Sequence, residues 1–130
     1  MEITSAQALI LMEQAISKAI DIGVNANIAI IDNAGHMKLF HRMDNAFLGS
    51  IDIAFQKAKT AMLFRMNSEM VGKFLAPENK AYGMGGTNGG LVAFPGGMPI
   101  KTKEVIIAYI GVSGGSPDQD FEIASVGSRI

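Results

Sequence analysis

Val105-Ile106-Ile107-Ala108-Tyr109-Ile110-Gly111-Val112-Ser113-Gly114-Gly115-Ser116-Pro117-Asp118 decides the fold. Its first eight residues run without a charge, which marks a strand covered on both faces and central in its sheet. Gly114 and Gly115 supply the positive φ and close backbone approach that a strand end permits. Ser116 then stands as N-cap, with Pro117 at the first helical position. A strand, a glycine turn and an exposed helix N-terminus make a corner where an anionic group can sit. A tight strand-to-helix corner with no ligand accounts for the same residues.

The elements upstream of this strand follow in short steps. Leu91 to Phe94 reads as a third strand, Gly96-Gly97 as a turn and Met98 to Lys101 as a fourth strand. Lys101 to Glu104 is a polar turn before Val105 to Val112, the fifth strand, and Asp118 to Ser128 is the closing helix.

At the other end, Leu9, Met12, Ile16, Ala19 and Ile20 recur at helical spacing and predict a helix over Thr4 to Ile22. Thr4 or Ser5 caps it, and Gly23 suits its left-handed stop. Asn27 to Asp32 and His36 to Met43 form a hairpin around Asn33-Ala34-Gly35. Simple alternation puts Met37, Leu39, His41 and Met43 on one side, with His36, Lys38, Phe40 and Arg42 on the other. A second helix is expected from Ala46 to about Arg65, with Asp44 or Asn45 as N-cap, and a third from Ser68 to Leu75. Residues 76–90, rich in glycine and carrying Tyr82, are the long irregular segment. Hairpins segregated from helices predict an α+β fold with an antiparallel sheet in one domain over residues 1–130.

Composition narrows the chemistry. The chain has 130 residues, no Cys, and 11 Lys and Arg against 12 Asp and Glu. The balanced charge argues against a nucleic-acid footprint, and the lack of Cys removes disulfides, thiolate metal sites and a Cys nucleophile. No apolar run has the length of a membrane span. The first residues lack the basic and apolar regions of a signal peptide, so a cytoplasmic location is expected.

The only two histidines are His36 and His41, five residues apart on one expected strand and so on opposite faces. They cannot share a metal there, and a structural zinc site lacks further ligands. A single axial histidine for haem remains open. His36 sits at the turn, while His41 is deeper in the strand. Lys59 and Thr60 lie on the second helix, where Lys57 reads as a solvated helical edge. Tyr82 can cover a ligand from the long loop. Ser113, Gly114 and Gly115 form the glycine corner. The nine methionines read mostly as core, some of them able to line an adaptable apolar cavity. No nucleotide-binding glycine pattern and no Ser-His-Asp set can be assembled, so no catalytic residue is assigned.

Five segments, in order, carry a resemblance: Ile30-Ile31-Asp32-Asn33-Ala34-Gly35-His36, Arg42-Met43-Asp44-Asn45-Ala46, Ala54 with Lys57-Ala58-Lys59-Thr60-Ala61, Gly96-Gly97-Met98-Pro99-Ile100, and Ile110 to Gly115 with Asp118 and Asp120. Across nearly its whole length the chain resembles the GlcG/HbpS family of haem-binding and "haem-degrading" domains. That family includes the C-terminal domain of PduO-type corrinoid adenosyltransferases. The resemblance implies a profilin-like, five-stranded antiparallel sheet flanked by helices, and a homo-oligomer of two or more copies. It implies haem or another tetrapyrrole as ligand, with His36 on the iron and Lys59 or the Ser113 to Ser116 backbone on the propionates, and its Lys-Ala-x-Thr-Ala-like motif makes Lys59 and Thr60 candidates for binding the ligand. Two other roles fit the family: a non-catalytic oligomeric accessory protein of glycolate, propanediol or glycerol catabolism, or small-molecule binding at the glycine-rich corner.

Overall fold

The computed structural model describes residues 2–130. Helix α1 (Ser5–Asp21) opens on a capping box: Thr4 accepts from the Gln7 backbone N–H, and the Gln7 side chain accepts from Thr4 N. Gly23, at φ 74, ends it in the left-handed conformation. Strands β1 (Asn27–Asp32) and β2 (Met37–Arg42) form the expected hairpin. Helices α2 (Gly49–Phe64) and α3 (Ser68–Phe74) follow, then two single 3₁₀ turns within residues 77–86. Strands β3 (Gly97–Thr102) and β4 (Val105–Ser113) precede helix α4 (Pro117–Gly127). Helix α4 also opens on a capping box, between Ser116 and Gln119.

The sheet runs β2-β1-β4-β3, antiparallel throughout. Apolar β4 is central, as its composition requires. Helices α1 and α4 close one face: Leu11, Met12 and Ile123 pack with Ile28, Ile30, Ile110 and Val112. Helix α2 closes the other, where Ala58 and Ala61 meet Ile31 and Tyr109. Its small residues let the helix backbone ride on the sheet. A Cβ on Gly111 would fall on the Ala54 carbonyl oxygen, and one on Gly97 on the Lys57 carbonyl oxygen.

Four points depart from the sequence expectation. The sheet has four strands and not the five of a profilin-like arrangement, because Leu91 to Phe94 pairs with nothing. Val92 N donates to Thr60 Oγ1 at 3.0 Å, and the Phe94 carbonyl accepts from Ser68 Oγ, so side chains take backbone groups that a ladder would use. Helix α2 begins later than expected: Leu48 is the cap residue, and Asn45 turns the chain at φ 65. Lys57 is fully buried and is no solvated edge. Finally, the β1–β2 register shifts between Ile30 and Ile31, with Leu39 opposite Ile30 and Met37 opposite Ile31. This bulge leaves Lys38 unpaired and moves Met37 to the Phe40 side of the sheet.

Candidate functional site

The bulge builds a groove. Met37 and Phe40 now share the α2 face of β2, and Leu48, Ile51 and Phe55 present a stripe of α2 opposite them. The groove between them is open to solvent, has a volume of about 780 Å³ and is lined by apolar side chains apart from His36 and Asp52. This volume lies in the range of cofactor and small-molecule sites, on the order of 300–1,000 Å³. Phe47 and Leu48, 71% and 72% exposed, extend its apolar rim into solvent.

Local turn chemistry sets His36 at the groove. Asp32 ends β1, and its Oδ1 accepts from Ala34 N and His36 N, each at 2.9 Å. The His36 N–H bond, helped by Ala34 and by the imidazole, holds the Asp32 carboxyl below the usual carboxylate range, with slight burial opposing. The other carboxylate oxygen lies 3.4 Å from His36 Nδ1, while the imidazole is 80% exposed. A carboxylate beside Nδ1 favours the tautomer protonated there and leaves Nε2 free for a metal, as carboxylate partners do for metal-binding histidines. An apolar slot with one carboxylate-backed imidazole fits a haem held by a single axial histidine.

The remaining candidates fall in different places. Lys59, half-buried, stands one turn beyond Phe55 on the same side of α2. Thr60 is buried and engaged with Val92. His41 pairs opposite Ile28, which puts it on the α1 face, away from the groove. Tyr82 is exposed in the second 3₁₀ turn and does not line the groove. Ser113 pairs with Asn27 at the opposite end of β1 from Asp32. Five residue steps separate those ends, about 17 Å at 3.4 Å per residue.

The glycine corner is already filled from within. Gly115 N donates to Asp120 Oδ1 at 2.9 Å, so a carboxylate of the chain itself occupies the start of α4. The other oxygen of Asp120 meets Lys57 Nζ at 2.9 Å, and Nζ donates to Val112 O at the same distance. The Phe94 ring lies 4.6 Å from Nζ. Burial pushes the Asp120 carboxyl up and the Lys57 ammonium down, and their mutual attraction opposes both shifts. Among the described residues no group of three His, Asp or Glu side chains is placed to hold a metal ion. No helix is long and apolar enough to cross a membrane.

Sequence reasoning missed two parts of this site. The bulge that brings Met37 beside Phe40 has no residue signature, and Asp32 was read as a strand end rather than the partner of His36. Its position four residues before a histidine across an Asn-Ala-Gly turn was the available signal.

Comparison with known proteins supplies the kinship. The chain is 37% identical over 111 residues to an uncharacterized 15.0 kDa protein from the dhaT-dhaS intergenic region of Citrobacter freundii, covering 84% of this chain and 78% of that one. It is 30% identical over 115 residues to the corrinoid adenosyltransferase PduO of the same organism, covering 88% of this chain but only 34% of PduO. Among solved structures, the PduOC–haem complex superimposes with a TM-score of 0.91 at 27% identity, covering 98% of this chain and 93% of that one. The family described as haem degrading protein HbpS-like matches residues 3–129, and the chain belongs to it.

Proposed function

We propose that this protein binds haem, or a closely related tetrapyrrole, in the groove between β2 and α2. The observation that carries the proposal is the carboxylate-backed imidazole of His36 at the margin of an apolar slot. Met37, Phe40 and Phe55 would hold the macrocycle, and His36 would ligate the iron. Lys59 is the cation nearest along the helix face for a propionate. When bound, the iron supplies any redox or degradative chemistry; the chain's own residues fix the axial ligand, exclude water from one face and orient the carboxylates. Likeness to the PduOC–haem complex supports the reading.

Hemin titration followed at the Soret band tests it. Wild type and His41→Ala are expected to saturate, and His36→Ala to lose roughly tenfold or more in affinity. A wild type that does not saturate overturns the haem reading. Equal affinity in all three proteins removes His36 as ligand.

The exposed Phe47 and Leu48 favour a second reading, an assembly surface covered by another copy of the chain. Light scattering on the purified protein decides it: a dimer or larger species dissociated by Leu48→Asp supports the surface, and a monomer overturns it.

A further inference from the structure

The opposite edge of the sheet carries a second cleft, of about 570 Å³, beside the free side of β3. Three cations line it from three elements, the Arg129 guanidinium also reaching Ser125 Oγ on α4 at 3.4 Å. Arg65 is the C-cap of α2, Lys101 lies on β3, and Arg129 follows the end of α4. No acidic side chain lines the cleft. Among the described residues, none of the three has an acidic partner within 4.0 Å, because the ion pairs there involve only Lys18, His36 and Lys57.

This gathering is not a by-product of a basic protein, since the net charge is −1. Like charges drawn together repel unless an anion offsets them. Arg65 also holds left-handed backbone, at φ 55 and ψ 42, a conformation glycine adopts without strain and arginine does not. The cleft floor is apolar and adaptable, made by Met66, Met70 and the buried Met98. A strand-like peptide is a poor occupant, because Pro99 removes an N–H from the middle of the edge strand.

We infer that this cleft binds a small organic dianion, its phosphate or paired carboxylates held by Arg65, Lys101 and Arg129 and its apolar body laid on Met66, Met70 and Met98. Two guanidinium forks match the oxygens of such a head group in the bidentate manner that a lysine cannot provide. The site is separate from the haem groove and does not depend on it.

Phenyl phosphate is the probe, titrated into protein carrying ¹³C-methyl methionine and followed by NMR. Saturable shifts of the Met66, Met70 and Met98 methyl signals are expected, with a dissociation constant of about 1 mM or below. Arg65→Gln and Arg129→Gln should each weaken binding roughly fivefold or more, a typical loss for one charge-assisted contact. Lys38→Gln, on the far edge of the sheet, and His36→Ala should leave binding unchanged. Inorganic phosphate should compete, but more weakly, and added salt should weaken both. Non-saturating shifts, shifts centred on other methionines, or equal affinity in the two arginine variants would overturn the inference. If a variant unfolds, the site of the shifts and the phosphate competition in wild type still decide it.

Discussion

Lys57 Nζ lies 2.9 Å from Asp120 Oδ2, with the two side chains 0% and 4% exposed. The pair joins α2 to α4, helices that cover opposite faces of the sheet, by passing the end of β4 at Val112. Each polar atom of the pair is engaged, with Gly115 N on the free carboxylate oxygen and the Phe94 ring against the ammonium.

Removing one partner leaves a buried charge alone. Lys57→Met is therefore expected to destabilise the fold by about 3–5 kcal/mol, and Lys57→Met with Asp120→Leu by clearly less. Urea denaturation of the two variants measures the difference. A single variant as stable as wild type would show that the pair contributes nothing to the fold.

Gly111→Ala places a methyl group on the Ala54 carbonyl oxygen, in the middle of α2, where no flexible side chain can give way. Overpacking of this kind costs about 1–3 kcal/mol or more. Gly49→Ala, which meets nothing, is the control and should be neutral or stabilising. Thermal melts of both proteins separate close packing from a general effect of losing glycine.

Asp32→Asn keeps an acceptor for the Ala34 and His36 N–H groups but removes the carboxylate behind Nδ1. Hemin affinity is expected to fall about 10-fold or more, and the melting temperature to fall modestly at pH 7. Asp32 also adds to stability at neutral pH. Its folded pKa lies below 3.8, so its contribution is present above that value and lost as pH falls through the folded pKa. Wild type should show this loss on acidification, and Asp32→Asn should not.

Glu69 has the opposite sign. Both of its carboxylate oxygens are shut off from water, and burial raises its pKa above 4.5, opposed more weakly by hydrogen bonding from the Asn67 side chain and the Met70 and Glu69 N–H groups and by attraction to Lys73. The native state then binds more protons than the unfolded chain over that window, so stability falls as pH rises from 4.5 through the folded pKa. Glu69→Gln should raise the melting temperature at pH 7 and leave it nearly unchanged below pH 4. A variant destabilised at pH 7 would mean that the carboxylate has a partner in solution.

How far the chain could be read varies by element. The N-caps of α1 and α4, the Gly23 stop, the hairpin turn and the central place of β4 are written in local residue types. Each depends on propensities that act within a few positions. Leu91 to Phe94 misled because its apolar composition suits a strand, but Thr60 and Ser68, some thirty residues away, claim its backbone. Lys57 misled because charge in a helix normally means solvent. Only the approach of Asp120 from another helix makes its burial tolerable.

By itself, then, the sequence determined the α+β class, the family, and the order of helices and strands apart from the strand expected at Leu91 to Phe94. Those follow from periodicity, caps and ordered motifs. The tertiary structure alone decided that the sheet has four strands, that Asp32 stands behind His36, and that a bulge at Lys38 turns Met37 toward Phe40 to open the groove. It also filled the glycine corner with Asp120 and gathered Arg65, Lys101 and Arg129 at the far edge. The physical reason is common to all of these. Register, buried pairing and clefts arise from contacts between residues distant in the chain, and no local propensity encodes which of those contacts form.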